Sequence, residues 1–263
     1  MTIPPVGGPD FLIIGAQKAG TTSLFEYLIR HPDVAAPVKK ELHFFDVPDR
    51  FRRGVAWYRE LFPSLNPSLS GHTSRRQVTG EASPYYLFHP RVPASVVGLF
   101  PQVKLIALLR NPADRAYSQY QMWVRAGREP LSFDEAIAAE AERLEGAEAR
   151  LLADSNHTDE VHRRHSYLAR GVYVDQLARW TQHFGREQML ILKTEDLFSD
   201  TQRIIAEVFE FLGLPQAQLD LSERYNVRAY DPLPSTSRDR LIEYFEPHNR
   251  RLYEFLGRDF GWY

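Results

Sequence analysis

The chain has 263 residues, 43% hydrophobic and 25% charged, the proportions of an ordinary globular protein with room for a sizeable core. Its formal net charge is −2 and it holds no cysteine, so disulfides, thiolate chemistry and cysteine-ligated metals are excluded and nothing global pulls it toward nucleic acid or an anionic membrane. No run approaches the roughly 18 apolar residues of a membrane span. Met1 to Asp10 lacks the basic start and apolar stretch of a signal peptide, so a cytoplasmic location is expected, with residues 1–9 a flexible N-terminus.

Phe11 to Ile14 is a short apolar run stopping at Gly15, the pattern of a buried strand. Leu24, Phe25, Leu28 and Ile29 then recur at helical spacing between Thr21 and Arg30, and Pro32 ends that helix. A second helix is predicted from Phe51 to Phe62, stopped by Pro63. A polar loop follows to Arg76, then a short strand over Gln77 to Glu81 and a helix over Pro90 to Phe100. Val103 to Leu109 is the clearest buried strand, and Arg110 ends it. Pro112 stands where a helix favours proline in its first turn, and that helix runs to about Arg125. Ser132 to Leu152 is acidic, alanine-rich and predicted helical; Asp154 to His165 is polar and irregular. Gly171 to Phe184 is predicted helical with Val174, Leu177 and Trp180 or Ala178 inward. A strand over Gln188 to Lys193 and helices over Thr201 to Leu212 and Ser235 to Leu256 complete the chain. Strands alternating with helices imply a single α/β domain, 1–263, with a mostly parallel central sheet and helices on both faces.

The chemistry concentrates in the first strand-to-helix connection, Gly15-Ala16-Gln17-Lys18-Ala19-Gly20-Thr21-Thr22-Ser23. Glycines let the backbone turn its N–H groups inward, the helix N-terminus adds partial positive charge, and the three hydroxyl residues are further donors, which together make a P-loop-like anion cradle. In the nucleoside-triphosphate loop, G-x-x-x-x-G-K-[ST], lysine follows the second glycine. Here Thr21 follows it and the lysine is Lys18. The strand Val103 to Leu109 ends in the cation Arg110 rather than a metal-binding carboxylate, which suits a second phosphate group. The bland alternatives are a turn that binds nothing and, for Arg110, a surface ion pair with Asp114.

These motifs resemble those of the sulfotransferases that use 3′-phosphoadenosine 5′-phosphosulfate, and the heparan sulfate and bacterial branch more than the branch acting on phenols and steroids. The likeness runs from Asp10 to Trp262. Gln17 to Ser23 matches the family loop for the donor's 5′-phosphate; Arg110-Asn111-Pro112 with Ser118 matches its 3′-phosphate site; Lys40-Glu41-Leu42-His43-Phe44-Phe45-Asp46 matches the branch's catalytic segment. The resemblance implies sulfuryl transfer to an acceptor hydroxyl of a small or mid-sized glycan, lipid or natural product. Its implied donor site is Lys18, Ala19, Gly20, Thr21, Thr22, Ser23, Arg110 and Ser118, with Lys18 on the bridging oxygen. It further implies Glu41 as general base with His43 nearby, no metal, and 3′-phosphoadenosine 5′-phosphate as product.

Glu41 and His43 lie two apart, so in a strand-like stretch they share a side, and a partly buried Glu41 is expected to have a raised pKa. The base is one or the other. The relatives' lysine in the segment matched by Glu81 to Pro84 is Ala82 here, and Lys40 or an arginine is the expected substitute. Arg228 is the expected stand-in for a basic loop that closes over the donor. The segment 132–165 is expected to shape the acceptor pocket; its Arg163, Arg164, His157, His162 and His165 read either as a face for an acidic acceptor or as a solvated loop. The rival activities are a Mg²⁺-dependent nucleotide kinase and a non-catalytic adenine-nucleotide module. The oligomeric state is open.

Overall fold

The computed structural model describes residues 7–64, 77–223, 225 and 231–263. Among them a five-stranded sheet is formed by β1 (Phe11–Gly15), β2 (Val34–Ala35), β3 (Val78–Ala82), β4 (Lys104–Leu109) and β5 (Met189–Lys193), in the order β2-β3-β1-β4-β5. Every pairing is parallel. All of β1 and β3 is buried, as is β4 past Lys104, so both faces of the sheet are covered, as the continuous apolar runs require.

The helices in chain order are α1 (Thr21–Leu28), α2 (Pro48–Phe51), α3 (Gly54–Glu60), α4 (Val92–Leu99), α5 (Pro112–Arg125), α6 (Phe133–Ala138), α7 (Glu140–Arg143), α8 (Ala147–Ala153), α9 (Glu160–Arg164), α10 (Tyr173–Thr181), α11 (Thr194–Ser199), α12 (Thr201–Leu212) and α13 (Ser235–Leu256). Helix α1 packs on β1, β3 and α12, while α13 packs on α5 and α10. None of the described helices is long and apolar enough to cross a membrane.

Three departures from the sequence reading have local causes. The helix expected over Phe51 to Phe62 is two pieces, because Gly54 takes φ +81 at the break. The helix expected over Ser132 to Leu152 is interrupted likewise where Gly146 takes φ +68. The irregular stretch Asp154 to His165 contains α9, whose first turn is capped by Asp159 accepting from His162 N at 2.8 Å. The loop expected over 63–76 lies outside the described residues from 65 onward.

The carboxyl ends of β1 and β4, at Gly15 and Leu109, flank the point where the connections leave in opposite directions, β1 toward β2 and β3, β4 toward β5. Open parallel sheets bind ligands at that switch point. A neighbouring strand end supplies a second support. Glu81, near the end of β3, is fully buried and accepts four hydrogen bonds. Oε1 takes Tyr58 Oη at 2.7 Å and Tyr86 Oη at 2.8 Å; Oε2 takes Ser83 Oγ at 2.6 Å and Leu42 N at 2.9 Å. Two of these donors accept in turn from the same segment: Ser83 Oγ from His43 N at 3.0 Å, Tyr86 Oη from Phe44 N at 2.8 Å. The backbone of residues 42–44 thus hangs on one carboxylate, with the Phe44 ring stacked on Tyr58 at 4.2 Å.

Every acceptor position of Glu81 meets a donor, so a glutamine there must aim an N–H₂ at other donors. Glu81→Gln is expected to destabilise the fold by about 1–3 kcal/mol in urea melts and to lower activity with it; a change below about 0.5 kcal/mol would refute this role.

Candidate active site

The glycine-bearing loop leaves β1 at Gly15 and enters α1 through Gly20, whose φ of +88 is the left-handed region that only glycine adopts without strain. Lys18 also takes a positive φ, +71. The loop is tied down from several elements. Ala16 N donates to Leu108 O at 2.7 Å, Thr194 Oγ1 to Ala19 O at 2.7 Å, Arg110 Nη1 to Lys18 O at 3.2 Å, and Arg170 Nη1 to Gln17 Oε1 at 2.5 Å. No acidic residue occupies the first turn of α1, so its N-terminus keeps its positive character. Thr21 is buried and Thr22 half-buried at that terminus.

Ser23, expected among the donor contacts, is bonded here within the protein. It is fully buried, and its hydroxyl accepts from Tyr225 N at 3.2 Å and donates to Tyr225 O at 3.4 Å, so it anchors the C-terminal segment onto α1. Tyr27 Oη reinforces that anchor by donating to Glu223 O at 2.7 Å. Arg228 lies outside the described residues.

Arg110 follows β4 directly, its carbonyl accepting from Tyr173 Oη at 2.8 Å. Asn111 caps α5 by accepting from Ala113 N at 3.0 Å, and its own N–H donates to Glu195 Oε1 at 2.9 Å. Ser118 is buried in the second turn of α5. The ion pair considered between Arg110 and Asp114 is replaced by another: Asp114 pairs with Arg238 of α13 at 2.6 Å.

The segment Lys40 to Asp46 is irregular, not strand-like, and His43 takes a left-handed φ of +47. That uncommon backbone is held by the Glu81 network. Glu41 and His43 meet through this turn rather than through strand alternation. Lys40 Nζ lies 2.6 Å from Glu41 Oε1, His43 Nε2 lies 3.1 Å from Glu41 Oε2, and His43 Nδ1 lies 3.0 Å from Asp46 Oδ2. The Asp46 side chain is fully buried, whereas 42% of the Glu41 side chain stays accessible. Ala82, where the resemblance implied a lysine, donates its N–H to Lys40 O at 3.0 Å, so Lys40 stands beside that position.

The charges correct the expectation for Glu41. Burial pushes its carboxyl up, but the hydrogen bond from His43 and the charge of Lys40 outweigh burial and hold it down at about 2. Burial pushes the His43 imidazole down, but its bonds to Asp46 and Glu41 carry it up to about 9. At neutral pH the pair is therefore carboxylate and imidazolium. A protonated imidazole bonded at both nitrogens has no lone pair with which to take a proton, while each Glu41 oxygen keeps a second lone pair.

The basic cluster of the segment 132–165 is neither a solvated loop nor a free cationic face. His162 is buried with Nδ1 2.7 Å from Tyr85 Oη, and His165 Nδ1 lies 3.0 Å from Glu129. Arg164 pairs with Glu160, and His157 lies 3.7 Å from Asp159. Arg163 turns inward, Nη2 at 2.8 Å from Asp46 Oδ2. Sequence reasoning missed Asp46, Glu81 and Arg170 as supporting residues. The one available signal was an acid three places after His43 within the catalytic segment.

A sulfotransferase-domain family model matches residues 8–230. Human heparan sulfate glucosamine 3-O-sulfotransferase 6 is 31% identical over 97% of this chain and 73% of its own. The membrane-associated sulfotransferase kil1 of Dictyostelium discoideum is 28% identical over 97% of this chain and 66% of its own. The crystal structure of a sulfotransferase from Alicyclobacillus acidocaldarius superposes with a TM-score of 0.77 at 32% identity, covering 98% of this chain and 99% of that one. With a glycine-bearing loop at the switch point and a Lys-Glu-His segment at the end of the neighbouring strand β3, the chain belongs to the sulfotransferase family, whose activity is sulfuryl transfer from 3′-phosphoadenosine 5′-phosphosulfate.

Proposed function

We propose that Glu41 is the general base for transfer of the donor's sulfuryl group to the hydroxyl of a small or mid-sized acceptor. The observation that carries this reading is the charge state of the segment: an accessible carboxylate held between Lys40 and a protonated His43. The acceptor oxygen attacks sulfur, the bond from sulfur to the bridging phosphate oxygen breaks in line, and the acceptor proton passes to Glu41. The desulfated nucleotide leaves with the charge that develops on that oxygen. Lys18, the α1 N-terminus and the loop N–H groups are assigned to that charge, so they stabilise the transition state more than the ground state. Arg110 and Ser118 are assigned to the 3′-phosphate. Lys40 serves in place of the lysine that Ala82 lacks.

The segment 132–165 is assigned to the acceptor side, since α9 reaches the catalytic segment through Arg163. Its cations are engaged in internal pairs, which favours an acceptor of modest charge over a polyanion. The family experiment is a donor-dependent screen over hydroxyl acceptors with excess chelator present. Sulfated product from a neutral acceptor is expected; abolition by chelation with recovery on Mg²⁺ would favour a phosphoryl transferase.

Nucleotide recognition is tested by calorimetry. 3′-Phosphoadenosine 5′-phosphate is expected to bind more tightly than AMP by about 1.5–3 kcal/mol for each charge-assisted bond to the 3′-phosphate, and Arg110→Ala to narrow the gap. Equal affinities would remove Arg110 and Ser118 from the site.

The base assignment is tested by Glu41→Gln. The variant is expected to keep its fold and nucleotide affinity and lose about 10²–10⁴-fold in turnover, whereas a loss within about threefold would remove Glu41 as base. The wild-type profile carries a further sign. With Glu41 ionised above about 2 and His43 protonated below about 9, kcat/KM is expected to stay level from pH 5 to 8 and fall through about 9 as the imidazolium is lost. A profile that instead rises through about 9, as the imidazolium gives up its proton, would make a neutral His43 the base.

A further inference from the structure

We propose that Arg163 is a positioning residue for sulfuryl transfer: from α9 it pins Asp46, and so keeps His43 turned toward Glu41. The inference rests on the reading of Glu41 and His43 given above. Its ground is geometric. Asp46 is fully buried and faces two cations, His43 Nδ1 at 3.0 Å and Arg163 Nη2 at 2.8 Å, both on Oδ2. His43 Nδ1 also touches Oδ1 at 3.1 Å. The guanidinium lies 3.2 Å from His43 Nδ1 as well. An imidazolium and a guanidinium cannot hydrogen-bond each other, because both only donate. Their approach is therefore set by the carboxylate they share.

Arg163 is itself fixed. Its guanidinium carbon sits 4.8 Å from the Tyr85 ring centre, and its carbonyl accepts from Arg170 Nη2. Arg170 is buried and reaches Gln17 of the phosphate loop through Nη1. One arginine thus spans from the Gly15 to Ser23 loop to α9, and a second spans from α9 to Asp46 and His43. This gives the segment 132–165 a part in positioning the base as well as in shaping the acceptor side.

The charged and titratable groups around His43 are few. Glu41 and Asp46 come from its own segment, with Lys40 behind Glu41; Arg163 comes from α9 over Tyr85. His89, beyond β3, faces Asp46 and is held neutral, burial pushing it down to about 4. Lys40 and Arg50, which donates to Leu42 O, are further cations near the segment; Arg163 is the one within 3.2 Å of the ring, and it opposes the imidazolium. Removing its charge should raise the His43 pKa, whereas removing that of Asp46 should lower it.

Kinetics and NMR on the same variants test this. Arg163→Met is expected to lower kcat about tenfold or more with the donor KM little changed, and to move the basic limb of the pH profile upward by about half a unit or more. Arg163→Lys, which keeps a charge for Asp46, should restore the limb to its wild-type place. Asp46→Asn should move it downward. Titration of the His43 ring by NMR reads the same shifts without turnover. A limb and a ring titration that both stay put in Arg163→Met, while wild type transfers sulfuryl groups normally, would overturn the proposal and leave the base assignment standing. An Arg163→Met loss that Arg163→Lys does not reverse, with no shift of the ring, would reduce Arg163 to a packing role and overturn it equally. Wild-type enzyme that loses nothing on Glu41→Gln would instead overturn the reading beneath it.

Discussion

A buried carboxylate that must be satisfied on every side organises this molecule. Glu81 is fully buried at the end of β3, where an ionised group is tolerated only with a full complement of donors. Burial pushes its carboxyl above the ordinary value, and the bonds from Ser83, Tyr58, Leu42 and Tyr86 pull against that. Satisfying it recruits a helix, a strand end and the irregular segment after β2 to one point. The left-handed turn at His43 follows, because Leu42 N and His43 N must reach Glu81 and Ser83 together. A fold requirement and a geometric requirement of the site are thereby met by the same four hydrogen bonds.

Beside that anchor the side chains alternate in sign: Lys40, Glu41, His43, Asp46, Arg163. Each charge is partly or wholly withdrawn from water, and each is compensated by a neighbour of opposite sign. This is the condition under which buried ion pairs are retained without a large penalty. The alternation also explains how a carboxyl near 2 and an imidazole near 9 coexist 3.1 Å apart. Each value is displaced in the direction that keeps the partner charged. The group titrates as a unit, so altering any member alters the others.

Much of this was legible in the sequence because local rules governed it. Strands β1, β4 and β5 declared themselves as apolar runs, α12 and α13 as amphipathic repeats, and α5 by Pro112. The loop between β1 and α1 was legible because its glycines interrupt an apolar run and a helical repeat. The remainder depended on contacts distant in sequence. Glu41 looked like a carboxyl raised by burial because a sequence shows apolar neighbours but not the approach of Lys40 and His43. Ser23 looked like one more phosphate hydroxyl because its partner, Tyr225, lies 202 residues away. The basic cluster read as one surface because side-chain direction is invisible in composition, yet its members diverge toward Tyr85, Glu129, Glu160 and Asp46. Two-residue β2 and six-residue α11 were too short for any periodicity to register.

A carboxylate held near 2 looks ill-suited to take a proton from an alcohol, and on the proposed mechanism this is resolved by timing. Before attack the hydroxyl is far too weak an acid to transfer its proton to any carboxylate. As the new bond to sulfur forms, the oxygen becomes strongly acidic, and even a depressed carboxylate lies downhill from it. A base with a pKa near the working pH would have more driving force, so a carboxylate near 2 relies on late proton transfer. The depression then has two uses. Its cause keeps Glu41 ionised at neutral pH, and the same bonds from Lys40 and His43 fix the carboxylate, so little reorganisation is needed when the acceptor arrives. Proton transfer to Glu41 leaves Lys40 and His43 with one less anion between them. On the proposed mechanism the cations that hold Glu41 ionised before reaction also stand beside the acceptor oxygen as the sulfuryl group arrives.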